Sequence, residues 1–197
     1  MKSYDTYIFD LDGTITNTMM VWVDIFRDGL LHFGITPPDD KTLSQYTHDW
    51  DELVKIGLSK EKLADFAAFA HIAANERLPK APLHEGAIEM LDMLRSQGKK
   101  IGFFSTMDSV LFEPAMQYRN LYQFADVALS STDVPYRKPH PAGILKALEN
   151  LGVPEEEFAN AVYIGDKDTD IQAAHNAKIA SILYYPCLLY TSPSPRD

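Results

Sequence analysis

The second half of the chain alternates between short apolar segments and amphipathic ones, and this alternation constrains the fold more than any other feature. Runs rich in β-branched and aromatic residues predict strands at 6–10, 100–104, 126–130, 161–164 and 179–184. Apolar residues at three- and four-residue spacing predict helices at 85–97, 109–119, 141–151 and 168–177. Strands that are joined by helices form a parallel sheet with helices on both faces. We therefore predict an α/β protein with a Rossmann-like, doubly wound parallel sheet.

The segment between the first strand and Pro82 shows helical patterns only. Further helical segments are predicted at 17–33, 41–46, 51–56 and 59–77. We predict that residues 17–82 form a helical cap, inserted into a core of residues 1–16 and 83–186. The apolar stripe of the first cap helix is expected to form the cap's own core; it comprises Met19, Val23, Phe26, Leu30 and Phe33. A cap loop carries Tyr46, His48 and Trp50, which either face a ligand or bind nothing.

The charge and the cysteine count exclude several classes of function. The 18 basic and 28 acidic residues give a net charge of −10, which disfavours a nucleic-acid or anionic-membrane surface. A single cysteine, Cys187, excludes an intramolecular disulfide and a zinc site built from cysteines. No apolar run reaches the length of a membrane span, and the N-terminus does not resemble a signal peptide. We expect a cytoplasmic protein, and the sequence leaves its oligomeric state open.

Two carboxylates follow the first strand, at the edge where a parallel sheet binds its ligands. In Asp10-Leu11-Asp12-Gly13-Thr14, the two aspartates face one site if the segment is extended. At a separation of about 4 Å they repel by about 4 kcal/mol at a dielectric of about 20, so the pair needs a cation or a shared proton. Mg²⁺ suits such a pair, because it binds carboxylates together with phosphate oxygens. The alternative is an acidic turn at Asp-Gly.

Three further polar clusters follow later strands. Ser105 and Thr106 offer hydroxyl and backbone N–H groups to a phosphate, or they cap a helix. Lys138 precedes two prolines and is either a phosphate-binding charge or a solvated lysine. Asp166 follows the fourth strand as a candidate metal ligand, with Asp170 four residues later, and the alternative is that Asp168 and Asp170 only stabilise the start of the last helix. Together the four clusters place two acids, a hydroxyl, a lysine and a further acid at successive strand ends.

This combination resembles the haloacid-dehalogenase-like hydrolase superfamily, and in particular its phosphoglycolate-phosphatase-like members with a small helical cap. The resemblance runs from about Tyr4 to Tyr185, and its most specific motif is DxDGT at residues 10–14. It implies Mg²⁺-dependent hydrolysis of a small phosphorylated metabolite, such as a phosphoglycolate-like compound or a sugar phosphate, through an aspartyl-phosphate. It therefore implies a phosphoric monoester hydrolase.

The resemblance also implies a role for each matching residue. Asp10 is the expected nucleophile, and Asp12 is the expected general acid and base, with a backbone carbonyl that binds Mg²⁺. Ser105 and Lys138 are expected to bind the phosphoryl group. The expected metal ligands are Asp10, Asp12 and Asp166, and supporting roles are expected for Thr14, Thr106 and Asp170.

Two other functions remain open at this stage. A phosphomutase of the same family, similar to beta-phosphoglucomutase, keeps Asp10 and Asp12, and it differs in requiring a bisphosphate activator. A non-catalytic binding module on the same fold is the second, although usable residues occupy all four motif positions.

The chain departs from the family pattern at three places. Thr106 replaces a frequent asparagine, and Lys178 stands where glycine is usual before the last strand. The resemblance implies a further strand or helix after Tyr185, whereas residues 187–197 resemble a linker. We expect those last residues to be a disordered or non-native tail.

Overall fold

Five parallel strands form one sheet in the computed structural model, which describes residues 3–47 and 50–185. The strands are β1 (Thr6–Phe9), β2 (Lys100–Phe104), β3 (Val127–Leu129), β4 (Ala161–Gly165) and β5 (Ala180–Leu183). Their order across the sheet is β3-β2-β1-β4-β5, and every neighbouring pair is parallel. The chain therefore winds outward from β1 in both directions, which confirms the predicted doubly wound α/β fold.

Seven α-helices accompany the sheet in the described residues. They are α1 (Met19–His32), α2 (Asp40–Tyr46), α3 (Leu63–Arg77), α4 (Ala87–Ser96), α5 (Ser109–Tyr118), α6 (Ala142–Asn150) and α7 (Asp168–Asn176). The last four begin and end close to the predicted bounds. The segment predicted as a helix at 51–56 is instead a 3₁₀-helix at Trp50–Ile56, and a short 3₁₀-helix at Lys60–Lys62 precedes α3.

The sheet is covered by an apolar layer on each face. Successive residues of β1 point to opposite faces, so Ile8 joins a layer with α6 and α7, whereas Phe9 joins a layer with α4 and α5. Both side chains are fully buried. Because the inner strands β1, β2 and β4 are buried on both faces, they are apolar at nearly every position after their first residue, and the polar motif residues follow where these strands end.

The helices between β1 and β2 have an apolar core of their own. Val23, Phe26 and Leu30 are fully buried there, as the stripe in α1 predicts, while Met19 and Phe33 are only partly buried. Trp50 packs edge-on against Phe26. Of the three residues predicted on a cap loop, Tyr46 and Trp50 both pack against this core. His48 is outside the described residues.

Two adjacent segments connect the helical insertion to the sheet. The Asn17 N–H donates to the Pro82 carbonyl at 2.7 Å, and the His84 N–H donates to the Ile15 carbonyl at 3.0 Å. An isolated bridge joins Thr16 to Leu83 between them. The two connections therefore form a short ribbon that begins directly after the 10–14 motif.

None of the described helices is long and apolar enough to cross a membrane. The predicted tail at 187–197 lies outside the described residues.

Candidate active site

Asp10 follows β1 at the centre of the carboxyl edge of the sheet. The register pairs Phe9 with Phe103 of β2 and with Ile164 of β4, so Asp10 stands between two other strand ends. Its N–H donates to the Ile164 carbonyl at 2.8 Å, which prolongs the strand by one residue. The Asp10 side chain is 4% exposed. A carboxylate so deep in the molecule requires a charged partner.

Lys138 supplies that partner. Its Nζ lies 2.6 Å from Asp10 Oδ1 and 2.5 Å from Asp170 Oδ1, and its side chain is also 4% exposed. The same ammonium donates to the Tyr163 hydroxyl at 3.0 Å. One buried cation therefore bridges two carboxylates, so this predicted phosphate-binding lysine is not a solvated surface residue.

Asp170 and Tyr163 are themselves held in place by further hydrogen bonds. Asp170 Oδ2 accepts the Lys167 N–H at 2.9 Å, which fixes the carboxylate at the start of α7. The Tyr163 hydroxyl donates to the Phe104 carbonyl at 2.8 Å. Tyr163 was not identified as a site residue from the sequence. The available signal was a tyrosine inside a buried strand, because its hydroxyl needs a hydrogen-bond partner there.

Three carboxylates converge at this edge of the sheet. Oxygens of Asp10, Asp166 and Asp170 all lie within 4.8 Å of one another. Burial raises the pKa of Asp10 to about 7 despite the nearby Lys138, and burial also raises the pKa of Asp166. A bound hard cation would offset the cost of ionising these buried carboxylates, because carboxylate oxygens are the ligands that Mg²⁺ prefers.

The charge balance of the site fits a divalent cation. When all four are ionised, the carboxylates of Asp10, Asp12, Asp166 and Asp170 face two ammonium groups, which leaves two negative charges for a cation to compensate. In addition, the Asp12 carbonyl accepts no hydrogen bond from the residues that the structure describes. The donor set therefore fits a hard divalent metal ion.

The Asp12 side chain is not one of the three converging carboxylates, although its charge, after burial, contributes to the raised pKa of Asp10 and of Asp166. Alternation along an extended segment predicts that Asp10 and Asp12 face one site; in the structure β1 ends at Phe9, and Asp12 forms an isolated bridge with Thr16. Its Oδ2 is 3.6 Å from Lys167 Nζ, while Oδ1 is buried and has no hydrogen-bond partner within 3–47 and 50–185. Asp170, for which a supporting role is predicted, is the third member of the carboxylate group. A ligand role for the Asp12 carbonyl stays a prediction.

Ser105 follows β2 and is fully buried. Its hydroxyl accepts the Met107 N–H at 3.2 Å, and its own N–H donates to the Leu129 carbonyl at 3.1 Å. The sequence suggested free N–H groups here, and this is wrong for Ser105, because the strand pairing extends one residue beyond β2. The Thr106 N–H does remain without a partner among the described residues.

Comparison with known proteins identifies the family. Residues 7–184 match the family of haloacid dehalogenase-like hydrolases. This chain is a haloacid dehalogenase-like hydrolase. The match confirms the family that the sequence motifs suggested, and with it the prediction of an enzyme, a hydrolase of the phosphatase class.

Relatives of this haloacid dehalogenase-like hydrolase carry several names. Pyrophosphatase PpaX of Bacillus mycoides is 29% identical over 177 residues, which cover 88% of this chain and 80% of the relative. A predicted phosphoglycolate phosphatase from Haemophilus somnus has a TM-score of 0.72 at 21% identity, over 93% of this chain and 86% of that one. A Thermotoga maritima protein provisionally named beta-phosphoglucomutase has a TM-score of 0.70 at 19% identity, over 89% of this chain and 82% of that one. The two solved structures show the fold alone.

The motif loop of the hydrolase is held by Gly13 and by a histidine that the sequence did not single out. Gly13 has a φ of +89°, and a Cβ on it would lie 2.7 Å from Asp166 Cγ. Thr14 Oγ1 donates to Asp166 Oδ1 at 3.5 Å. The Gly13 carbonyl is 3.2 Å from His84 Nε2, and the His84 ring packs edge-on against Tyr184. His140, the histidine nearest the motifs in sequence, instead contacts Tyr136 and the Ala142 N–H.

Proposed function

We propose that this hydrolase cleaves a small phosphomonoester through an aspartyl-phosphate on Asp10, with Mg²⁺ as its cofactor. The observation that carries the proposal is the buried contact between Asp10 and Lys138, at the edge where three carboxylates converge. A nucleophilic carboxylate needs a nearby cation that also attracts the phosphoryl group. Both groups are present here within hydrogen-bond distance.

Asp10 and Lys138 act on the phosphoryl group. An Asp10 oxygen attacks phosphorus, the bond from phosphorus to the leaving oxygen breaks, and the carboxylate carries the phosphoryl group. Lys138 holds Asp10 in place through one hydrogen bond and neutralises charge that develops on the phosphoryl oxygens. The Thr106 N–H and the Ser105 hydroxyl are suited to the same oxygens, since both follow the neighbouring strand.

The metal would be held by Asp10, Asp166 and the Asp12 carbonyl, with Asp170 in support. When bound, Mg²⁺ supplies Lewis-acid stabilisation of the phosphoryl charge and screens the carboxylates from one another.

Asp12 moves the proton in both half-reactions. It donates a proton to the leaving alcohol oxygen, and it then accepts one from the water that attacks the aspartyl-phosphate. Inorganic phosphate and the Asp10 carboxylate result. The Asp12 side chain is 25% exposed and its Oδ1 is buried, so Oδ2 is the oxygen that can reach the leaving group and the attacking water.

The substrate class follows from charge as well as from the family. A net charge of −10 disfavours nucleic acid and anionic membranes as partners, so we propose a small phosphorylated metabolite that binds where Lys138 and the cation reverse the local field. Relatives named pyrophosphatase and phosphoglycolate phosphatase are consistent with a small phosphorylated substrate.

Phosphate release from a panel of small phosphomonoesters, measured with Mg²⁺ and with EDTA, tests the proposal. We expect release that requires Mg²⁺ and that disappears in Asp10→Asn. Release by Asp10→Asn at the rate of the unchanged protein would overturn the assignment of the nucleophile. Release that depends on a bisphosphate activator would indicate the phosphomutase, and binding without turnover would indicate a non-catalytic module.

A further inference from the structure

A second lysine lies at the site, on the side of Asp12. Lys167 Nζ is 3.6 Å from Asp12 Oδ2, and the Lys167 side chain is 50% exposed. Lys138, by contrast, is enclosed by Asp10, Asp170 and Tyr163. The two ammonium groups therefore occupy different environments, one buried beside the nucleophile and one at the surface beside the proton donor.

The position of Lys167 is fixed by the backbone. Its residue forms the cap of α7, and its N–H donates to Asp170 Oδ2. The side chain is therefore anchored between two acids, Asp166 before it and Asp170 after it, while its ammonium extends toward Asp12.

The two oxygens of Asp12 differ in their surroundings. Oδ1 is buried and has no partner within the described chain, whereas Oδ2 is the oxygen that faces Lys167. Because Oδ2 is the oxygen that is not buried, it exchanges the proton with the leaving oxygen, and the atoms next to the leaving oxygen then come close to the Lys167 ammonium. A cation at that position favours a leaving group that carries a negative charge.

We propose that Lys167 binds an anionic group of the leaving alcohol, so that the preferred substrates carry a second negative group, a carboxylate or a phosphate, close to the scissile ester. This inference rests on the proposed function and names the substrate class of the same site. Lys138 binds the phosphoryl group that is transferred, and Lys167 binds the anionic group of the leaving alcohol. The hydrolase thus discriminates by charge on the leaving-group side.

A matched pair of substrates tests the proposal. Phosphoglycolate carries a carboxylate next to the ester, and phosphoglycolamide replaces it with a neutral amide of similar size. We expect the unchanged hydrolase to prefer the acid in kcat/KM by about tenfold, the effect of one charge-assisted contact at a half-exposed site. Lys167→Met should remove this preference and Lys167→Arg should keep it.

Two results would overturn the proposal. An acid-to-amide preference that is unchanged in Lys167→Met would show that Lys167 does not contact the anionic group. An equal loss on both compounds would show that Lys167 only holds Asp12. Lys146→Met is the matched control, because it removes the same charge from an exposed lysine that donates to the Asp133 carbonyl.

A binding measurement distinguishes a failure of this inference from a failure of the proposed function. Calorimetry of the same two compounds with Asp10→Asn and Mg²⁺ measures charge selectivity without turnover. Selective binding that Lys167→Met abolishes supports the inference even if the unchanged protein hydrolyses neither compound, in which case the proposed function fails. Equal binding of acid and amide contradicts the inference, whatever the turnover.

Discussion

Gly13 packs directly against the carboxylate of Asp166. The two residues are far apart in sequence, yet a Cβ on Gly13 would lie 2.7 Å from Asp166 Cγ, and the glycine has a φ of +89°. The motif loop after β1 and the strand end after β4 therefore fit together only because Gly13 has no side chain. This contact brings the loop that carries Asp12 to the carboxylate group.

Gly13→Ala should abolish most activity while the protein still folds. The added Cβ displaces Asp166, and the strained φ adds about 1 kcal/mol of backbone cost. Gly98→Ala is the matched control, since Gly98 has a φ of +69° but no atom within 4 Å of its Cβ position. We expect similar urea midpoints for the two variants and a kcat/KM loss of at least about 100-fold in Gly13→Ala only. Equal activities would contradict the role of the contact.

Removal of the Lys138 charge should destabilise the fold as well as slow turnover. Lys138→Met leaves Asp10 and Asp170 buried without a cation, and breaking a buried pair costs about 3–5 kcal/mol. The free energy of unfolding, measured in urea without metal, should fall accordingly. Adding Asp170→Asn to Lys138→Met should recover part of the loss, because one of the two buried charges is removed. A stability equal to that of the unchanged protein would refute the account of this cluster.

His84 should make stability depend on pH. Burial lowers the pKa of His84 below its ordinary value of 6.5, so the unfolded chain binds a proton more readily than the folded one. The neutral ring therefore contributes stability above pH 6.5, and that contribution is lost as the pH falls through the lowered pKa. Urea midpoints at about pH 5.5 and about pH 7.5 should differ more in the unchanged protein than in His84→Gln. The same difference in both would assign the pH dependence to other groups.

Lys178→Gly should stabilise the protein. Lys178 has a φ of +60°, a conformation that costs a residue with a Cβ about 1 kcal/mol and costs glycine little. The midpoint of thermal unfolding should rise in Lys178→Gly and stay nearly constant in Lys178→Ala, which keeps a Cβ. An increase in both variants would point to the lysine charge instead of the backbone.

Much of the fold follows from the sequence because local patterns determine it. Strands buried on both faces are apolar at nearly every position, and helical spacing marks the helices between them, so β2 and α5 lie where their patterns predict. Lys178 is different, because only the family resemblance marked it as a position where glycine is usual, and its φ is indeed positive.

The contacts within the site could not be predicted in the same way. Alternation along a strand predicts the side of Asp10, which continues the pairing of β1 by one residue, but it does not give the isolated bridge that joins Asp12 to Thr16. Tyr163 and His84 meet Lys138 and Gly13 across long sequence separations, through the packing of β4 and of the ribbon after Pro82. Such contacts depend on tertiary geometry, which periodicity does not encode.

The central claim is that Asp10 carries the phosphoryl group during turnover. Reduction with borohydride during steady-state hydrolysis converts an acyl phosphate to an alcohol, so an aspartyl-phosphate at Asp10 becomes homoserine. Peptide mass spectrometry then locates the change. We predict homoserine at position 10 when both substrate and Mg²⁺ are present, and none when either is omitted. Continued phosphate release with an unmodified Asp10, or modification at another carboxylate, would contradict the account.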